Sequence, residues 1–595
     1  MKAIIEKELK PIMLSLFKQI KEEGLALEID GIPAYNQGAL YIGGKVINTA
    51  SFVALELIKT EESLKDLGDI IRLASSMKME TWGILGSLAG LYRLQQKGLL
   101  ESTVDEDTLQ NFKQILDWRT FVDVNNNYSM NKATNFYAVA FNIARYRELL
   151  GWDKEIHSTH LLNHFMEYIV QYSGEMPFMD DSKGEGRFDR YSFVVPAELT
   201  EALLDAGREV PSKVRAMMEK SAKLMLQMAN EQGQGVSYGR STDAYGDTAI
   251  LEVCAAAARL GGIFSEEELE IAYGYSVKAM QRVLDFWYDK KMQSINLWND
   301  GRKTDNYRNK NRILGENLSI FQSMVRTYEV WNELGFGERE ICNDFSRRLD
   351  EMNPYTYISF TEGEYKRGLA IIRDEQQIWM LPIINGGCNY YDRDQYMPVP
   401  FQNQVLKGVP MCNHGQLVPQ LFMENGEVYM PLAYTSSIVP EIADNHMTIT
   451  CEYKNLCRMG SGIFISGDTK EMEAFSCPEK AEGIHATVRY TFEKKHIHRE
   501  DIFTITSDIK VKEVRLVLLT YSEEPETKDN EVTFKKGIIT RMCAEGYDIC
   551  SVKHAVDDGS YDTPQGRLSY EVVWKREVNT QDNPLIFNWT IEYHA

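Results

Sequence analysis

The segment Gly239-Arg240-Ser241-Thr242-Asp243-Ala244-Tyr245 recurs, with small changes, as Gly301-Arg302-Lys303-Thr304-Asp305-Asn306-Tyr307. Both copies follow the pattern Gly-Arg-x-Thr-Asp-x-Tyr, and each leads from a polar loop into an apolar segment with helical periodicity. The arginines are 62 positions apart, about the length of two helices with their connections. Because repeated helical hairpins present equivalent loops at one end of a domain, the spacing predicts a common rim. The alternative is a capping turn used twice, with Ser, Thr or Asp as N-cap and each arginine paired with a carboxylate.

The first ~350 residues contain about a dozen segments whose apolar residues recur at i, i+3, i+4 and i+7, as in amphipathic helices. The predicted helices are 4–23, 49–59, 64–76, 81–97, 106–118, 131–150, 156–172, 196–206, 211–230, 248–260, 265–288 and 313–334. Twelve helices make six hairpins of about 58 residues each, close to the spacing of the repeated motif. We therefore predict an (α/α)6 toroid over residues 1–353, with an open α-solenoid as the alternative.

The periodicity changes near Pro354, beyond which short runs alternate between apolar and polar residues. These runs include 358–361, 368–373, 378–383, 485–491, 514–521, 568–574 and 586–593. Turn signals such as Glu424-Asn425-Gly426 and Asp557-Asp558-Gly559 separate them. About fifteen such strands predict an antiparallel β-sandwich over residues 354–595.

The bulk composition excludes several classes of function. A net charge of −22 argues against a nucleic-acid partner, because a phosphate backbone requires a basic face. The nine cysteines form no Cys-x-x-Cys pair and have no zinc-ligand spacing, so no metal and a reducing compartment are expected. Charged residues throughout 1–24 and the lack of a long apolar run predict a cytoplasmic protein without a membrane partner. Nucleotide-binding, zinc-protease and serine-hydrolase motifs do not occur, so no cofactor is expected. A homo-oligomer remains open.

Four segments resemble motifs of bacterial toroid-plus-sandwich proteins that act on carbohydrates. They are FDRYS at 188–192, SYGRSTDAYGD at 237–247, WNDGRKTDNYRNKNRILGEN at 298–317 and YMPVPFQNQVLKGVP at 396–410. The chain resembles glycoside hydrolase family 154, the β-glucuronidases, and more distantly the heparinase-like polysaccharide lyases. The resemblance implies an enzyme whose substrate is a carbohydrate with a uronic acid.

Such an enzyme needs a cation for the sugar carboxylate, and arginine offers a bidentate one. The candidates are Arg190, Arg240, Arg302 and Arg308. A hydrolase also needs a pair of carboxyl groups, and Asp189, Asp247 and Glu316 are the candidates. The alternative role of Asp247 is that of a helix N-cap. A lyase instead needs a base for the C5 proton, and the main candidates are Tyr238 and Tyr245, with Asn127 bracing the carboxylate as the resemblance to toroid lyases implies. Further substrate contacts are predicted for Tyr191, Asp305, Tyr307 and His414, with Trp298 as a sugar platform.

The sequence favours a glycoside hydrolase that removes glucuronic acid from oligosaccharides or glucuronides. Hydrolysis is preferred because the rim loops are richer in carboxylates than in histidines, and because a cytoplasmic enzyme suits small imported substrates. The first alternative is a lyase that cleaves uronate-containing glycans by β-elimination. The second is a non-catalytic glycan-binding protein.

Overall fold

The computed structural model describes the chain except for residues 37–38, 131–134, 174–177, 181–183, 185, 306–307, 362, 385–395, 404–415, 459–478, 558, 560 and 580–581. Twelve α-helices of ten or more residues lie within the described part of the chain. They are Lys10–Glu23, Ile42–Phe52, Glu61–Ser75, Thr81–Gln96, Glu106–Ile115, Asn135–Leu149, Ser158–Ser173, Tyr191–Asp205, Ser212–Gln227, Ala244–Leu260, Glu266–Arg282 and Ile313–Glu333. A shorter helix, Phe345–Asp350, precedes the first long strand, Tyr355–Thr361. The last helix before the strands thus ends at Asp350, and the strands begin at Tyr355.

Alternate helices form a closed inner ring. We call them inner helices 1 to 6, and they are Ile42–Phe52, Thr81–Gln96, Asn135–Leu149, Tyr191–Asp205, Ala244–Leu260 and Ile313–Glu333. Each packs against the next, and inner helix 6 packs back against inner helix 1. The other helices pack around this ring; Ser158–Ser173, for example, lies against inner helix 3. This closure confirms the (α/α)6 toroid and excludes an open solenoid, whose first and last helices do not meet.

Inner helices 1 and 2 approach each other unusually closely through glycines. A Cβ atom on Gly44 would lie 1.8 Å from the carbonyl oxygen of Gly83, and one on Gly86 would lie 2.7 Å from that of Gly44. The sequence predicts inner helix 1 only from residue 49, because Gly43 and Gly44 have low helix propensity. In the structure the helix begins at Ile42, since close packing requires the small residues.

Inner helix 4 also begins earlier than its sequence predicts. Proline is favoured in the first turn of a helix, which places the predicted start at Pro196. The observed helix starts at Tyr191 and holds Pro196 in its interior. The carboxylate of Asp189 accepts the backbone N–H of Tyr191 at 2.9 Å and so satisfies a free donor of the first turn. The earlier start places Arg190 and Tyr191 at the end of the inner ring.

The C-terminal half contains two large antiparallel sheets. In spatial order, one has the strands Thr435–Ile442, His446–Tyr453, Ile484–Glu493, His496–Ile505, Leu585–Tyr593, Ile539–Glu545, Glu531–Lys536 and Glu523–Lys528, and the other has Lys480–Ala481, Leu456–Arg458, Val428–Met430, Gln420–Met423, Val511–Thr520, Tyr570–Glu577 and Ile549–His554. Burial alternates along strands such as Ile484–Glu493, and the inward side chains of both sheets share one apolar core. The predicted β-sandwich is thereby confirmed.

A third sheet connects the two halves. Its strands are Tyr355–Thr361, Arg367–Asp374 and Gln377–Ile383. On one side, Arg373 donates to the carbonyl oxygen of Gln227 in the toroid at 3.0 Å. On the other, Asp374 accepts the hydroxyl of Tyr593 in the eight-stranded sheet at 2.9 Å. Among the described residues, no helix has both the length and the apolar character of a membrane-spanning segment.

The glycine contact between inner helices 1 and 2 generates a stability prediction. Gly44→Ala should lower the free energy of unfolding by about 1–3 kcal/mol, the usual cost of overpacking, because the backbone of Gly83 cannot move away cheaply. Urea unfolding followed by circular dichroism measures the change. Gly363→Ala is the control, since a Cβ there meets only Thr361 at 3.5 Å. Equal stability of the two variants would contradict the tight packing.

Candidate active site

A cavity of about 390 Å³ runs along the axis of the toroid and is lined by side chains of all six inner helices. This volume lies within the range of small-molecule sites. The inner helices all run in the same direction, so that their N-terminal ends and the preceding loops share one end of the ring. Along inner helix 6 the lining extends from Glu316 to Val330, which at 1.5 Å per residue is about 21 Å of depth. The cavity has a mouth, a middle and a far end.

The mouth is organised around the carboxylate of Glu316. One oxygen accepts the hydroxyl of Tyr245 at 2.5 Å, and the other accepts that of Tyr41 at 3.1 Å. Arg308 and Arg312 lie 3.7 Å and 3.5 Å from the same carboxylate. Burial, and then the charge of Glu316, raise the pKa of Tyr245 well above its ordinary value. Tyr245 therefore stays protonated and acts as a donor.

The two copies of the repeated motif contact each other beside this mouth. Asp243 caps inner helix 5 by accepting the N–H of Tyr245 at 2.9 Å, and it also accepts the hydroxyl of Thr304. Asp305, in the second copy, accepts the N–H of Ser241 at 2.9 Å. Arg308 donates to Asp243 at 3.0 Å and lies 3.3 Å from Asp305. The motif thus builds a buried network between two loops of one rim, and its first aspartate does serve as an N-cap.

Residues from the C-terminal half complete the rim. Tyr396 donates its hydroxyl to Asp189 at 2.5 Å and accepts the N–H of Arg240 at 3.2 Å. The guanidinium of Arg240 stacks on the ring of Tyr191, with 4.0 Å between its carbon and the ring centre. Gly239 has a positive φ of 80°, and a Cβ on it would lie 2.6 Å from the Cβ of Asp189. Both constraints explain why the motif has glycine at this position.

The middle of the cavity contains charged side chains that are not paired as those at the rim are. Lys45 and Glu198 line it, and neither forms a hydrogen bond or ion pair with another residue in the described part of the chain. They lie on inner helices 1 and 4, which are opposite each other in a ring of six. Burial, and next the charge of Glu252, raise the pKa of Glu198 to about 7, against the opposing charges of Arg190 and Lys45. Burial likewise lowers the pKa of Lys45.

Glu252 lies on inner helix 5, close to Glu198 of inner helix 4, and two neighbouring side chains fix its carboxylate. Arg190 binds one of its carboxylate oxygens at 2.9 Å. Ser323 donates its hydroxyl to the other at 3.1 Å. The cavity therefore contains one carboxyl group that is protonated over much of the neutral range and one that is fixed by a cation.

The far end of the cavity is closed by ion pairs. Arg93 binds Glu329 through two hydrogen bonds of 2.9 and 3.0 Å, and Arg326 binds Asp205 at 3.0 Å. Arg93 and Glu329 lie on inner helices 2 and 6, and Arg326 and Asp205 on inner helices 6 and 4. Neither pair of helices is adjacent in the ring, so these bonds cross its interior and obstruct the far end. Although burial opposes ionisation, the two arginines hold the pKa of Glu329 at about 2.

Five of the residues singled out from the sequence line the cavity, and they are Arg190, Tyr191, Tyr245, Arg308 and Glu316. Asp189, Arg240 and Asp305 lie directly behind this lining and support the rim. Tyr307 and His414 fall outside the described residues. The remaining five do not line the cavity, and they are Asp247, Arg302, Trp298, Asn127 and Tyr238.

Asp247 is a buried structural carboxylate. It accepts hydrogen bonds from Arg282 and from the indole of Trp287, each at 2.7 Å, and from the N–H of Gly235 at 2.8 Å. It does not line the cavity. The prediction of a catalytic role is therefore replaced by a structural one, because its oxygens already bind three donors behind inner helix 5.

Arg302 and Trp298 also turn away from the cavity. Arg302 donates to the carbonyl oxygens of Asn296 and Phe286 at 3.1 and 3.0 Å. Burial, and then the charge of Arg282, lower its pKa to about 10. The indole of Trp298 donates to the carbonyl oxygen of Arg308 at 2.7 Å. Both residues hold the second motif loop in shape and do not offer a clamp or a platform to a sugar.

Asn127 and Tyr238 are the other two residues that lie outside the cavity lining. Asn127 is exposed in the loop before inner helix 3. Tyr238 is fully buried, and burial raises its pKa well above the ordinary value, with a further contribution from Asp189. A buried phenol of this kind is not positioned to take a proton from a substrate.

Five further residues of the cavity lining were not predicted from the sequence, and they are Tyr41, Lys45, Glu198, Glu252 and Arg312. All except Arg312 and Tyr41 lie inside inner helices, where a charged residue is indistinguishable by periodicity from one on a solvated face. The detectable signal is Lys45, whose helix, Ile42–Phe52, has no other charged residue. No group of histidine, cysteine, aspartate and glutamate suited to a metal ion is found among the described residues.

Solved structures similar to this chain include carbohydrate-processing enzymes. A heparan sulfate lyase HepC mutant from Pedobacter heparinus aligns over 100% of this chain and 90% of its own, with 10% identity and a TM-score of 0.28. Heparinase III aligns over 99% and 91%, with 10% identity and a TM-score of 0.28. A possible member of the GH105 family from Klebsiella pneumoniae covers 55% of this chain and 93% of its own, with 13% identity and a TM-score of 0.34.

No family model and no curated protein match the chain. The TM-scores of the solved structures are too low to support a conclusion about activity. The closed ring of helices and the two large sheets define the fold, and the side chains that line the cavity define the candidate site.

The structural role of Asp247 is testable. Asp247→Asn should lower the free energy of unfolding by about 3 kcal/mol, because it leaves the buried guanidinium of Arg282 without its counter-charge. Turnover by the folded variant at low temperature should stay near the wild-type value. Asp285→Asn, at an exposed position, is the control and should change stability by less than about 0.5 kcal/mol. A folded Asp247→Asn variant with a hundredfold lower kcat would restore the catalytic assignment.

Proposed function

We propose that this protein is an exo-acting glycoside hydrolase that removes glucuronic acid, or a closely related uronic acid, from the end of an oligosaccharide or from a glucuronide. The observation that carries the proposal is Glu198, an unpaired carboxyl group in a blind, mixed-charge cavity. Lys45 and Arg190 beside it favour an anionic sugar, and the rings of Trp82, Tyr191 and Tyr245 in the lining offer apolar faces for it.

In this proposal Glu198 is the general acid. Glycoside hydrolysis requires one carboxylic acid to protonate the leaving oxygen and one carboxylate to act as nucleophile or base. A pKa of about 7 keeps Glu198 protonated in a large fraction of molecules at neutral pH, as acid catalysis requires. Glu252 is the second carboxylate, because Arg190 and Ser323 fix its orientation beside Glu198. Glu316 has a supporting role, since it positions Tyr41 and Tyr245 at the mouth.

The blind end supports exo-action. A polymer that is cut internally must extend from both sides of the reacting unit, which an open cleft permits. In this proposal the ion pairs of Arg93 and Arg326 obstruct the far end, so a substrate enters with its terminal sugar and the product leaves through the mouth. This geometry fits the removal of one terminal unit.

The lyase alternative finds less support in the cavity. β-Elimination needs a base, and the two tyrosines proposed for it, Tyr238 and Tyr245, have pKa values raised well above the ordinary one by burial and by nearby carboxylates. No histidine in the described part of the chain lines the cavity. Hydrolysis by carboxyl groups is therefore the better match.

The role of Glu198 makes a prediction about leaving groups. Glu198→Gln should lower kcat for methyl β-glucuronide by roughly 10²–10⁴-fold, the usual contribution of general acid catalysis. The loss should be much smaller for p-nitrophenyl β-glucuronide, because p-nitrophenolate leaves without needing a proton. Glu219→Gln, at an exposed position on an outer helix, is the matched control. Equal losses on both substrates would contradict an acid role for Glu198.

The same residue sets the expected pH dependence. An acid catalyst is active while protonated, so kcat/KM for the methyl glucuronide should fall as pH rises through about 7, where Glu198 loses its proton. The decline should be absent from the pH profile of Glu198→Gln. A wild-type profile that rises through pH 7 would contradict the assignment. An absorbing 4,5-unsaturated product from an oligosaccharide whose glucuronic acid is glycosylated at O4 would identify a lyase instead. Silence of the wild type on a broad panel of glucuronides would favour the non-catalytic alternative.

A further inference from the structure

Apart from Arg145, the arginines that line the cavity are already bound to acceptors within the protein. Arg308 donates to Asp243 and to the hydroxyl of Ser241, and Arg190 donates to Glu252 and to a carbonyl oxygen of the backbone. Arg312 donates to Tyr41 at 2.7 Å and lies beside Glu316. A substrate carboxylate that approached these guanidinium groups would have to compete with a carboxylate or hydroxyl of the protein.

The arginines at the far end are no more accessible. Arg93 and Arg326 form the ion pairs that close the cavity. Arg145 lines the cavity, and its three guanidinium nitrogens have no hydrogen-bond partner in the described part of the chain. It is only 1% exposed, however, because its guanidinium stacks against the ring of Tyr146 at 4.1 Å. A ligand in the cavity therefore has no ready contact with these three cations.

Lys45 differs from all of them. It is partly exposed, it lines the cavity, and no residue in the described part of the chain forms a hydrogen bond or ion pair with its ammonium group. A buried charge without a partner is costly, so it is retained where a ligand supplies the missing partner. Its Nζ offers three donors and a point charge.

We infer that Lys45 is the residue that recognises the sugar carboxylate and so determines the preference for uronic acids over neutral sugars. The inference rests on the proposed function for the identity of the ligand, and it replaces the arginine clamp that the sequence favours. Lys45 and Glu198 face each other from inner helices 1 and 4. In a β-glucuronide the C5 carboxylate and the C1 oxygen project from ring carbons on either side of the ring oxygen. Both groups leave the ring along the edge that contains the ring oxygen, so a sugar that presents this edge to the gap between Lys45 and Glu198 places its carboxylate at Lys45 and its glycosidic oxygen at Glu198.

The test measures binding, so that it does not depend on turnover. Glucuronic acid and glucose are titrated into the full-length protein at pH 7 by calorimetry, with wild type, Lys45→Met, Lys45→Arg and the control Lys220→Met on an exposed face of an outer helix. The wild type and the control should prefer glucuronic acid by roughly ten- to a hundredfold, the usual effect of one charge-assisted hydrogen bond. In Lys45→Met the preference should disappear, and Lys45→Arg should keep part of it.

Thermal unfolding of the same proteins shows whether the variants are folded. Because Lys45 has no partner in the protein, Lys45→Met should unfold at the same temperature as wild type or a higher one. A folded Lys45→Met protein that still prefers glucuronic acid would overturn the inference, as would a wild type without any preference. Should Lys45→Met not fold, Lys45→Gln takes its place in the titrations. Loss of the preference in Lys45→Gln with partial retention in Lys45→Arg supports the inference, and full retention in Lys45→Gln overturns it. A wild type that shows the preference but hydrolyses no glucuronide would contradict the proposed function and leave the role of Lys45 supported.

Discussion

The cavity depends on the ion pairs that cross the toroid at its far end. Arg93 with Glu329, and Arg326 with Asp205, connect inner helices that are not neighbours in the ring. Buried ion pairs gain little net stability over apolar packing, yet these fix how far apart the helices stand and close one end of the central space. These ion pairs therefore shape the far end of the cavity and contribute to its polar interior.

The charged side chains of the cavity fall into a paired group at its two ends and an unpaired group in its middle. At the mouth and at the far end, arginines and carboxylates neutralise each other, and their hydrogen bonds hold the loops and helices in place. In the middle, Lys45 and Glu198 have no such partners, and burial shifts the pKa of each toward its neutral form. Groups that the protein leaves unpaired within an enclosed space are those that a ligand can use.

The fold was largely predictable from the sequence, and the site was so only in part. Helical and alternating periodicity identify the toroid and the sandwich because each pattern reports directly on a buried face. The repeated motif correctly indicates a shared rim, since its loops meet through Asp243 and Asp305. It does not indicate which arginine lies near the cavity, because Arg240 and Arg302 have the same position in the motif and different neighbours in space. Arg240 stacks on Tyr191, whereas Arg302 binds backbone carbonyl oxygens away from the cavity. Lys45 could not be predicted as a cavity residue, because Gly43 and Gly44 have low helix propensity and the sequence therefore places the start of inner helix 1 after it.

The central claim is that a blind cavity with a protonated glutamate hydrolyses a terminal uronic acid. The most direct measurement is mass spectrometry of the products formed in water enriched in ¹⁸O from an oligosaccharide with one glucuronic acid at its non-reducing end and a second, glycosylated at O4, in its interior. The account predicts one free uronic acid that carries the heavy oxygen at C1, together with the shortened oligosaccharide. Internal fragments, or a 4,5-unsaturated product without the heavy oxygen, would contradict it.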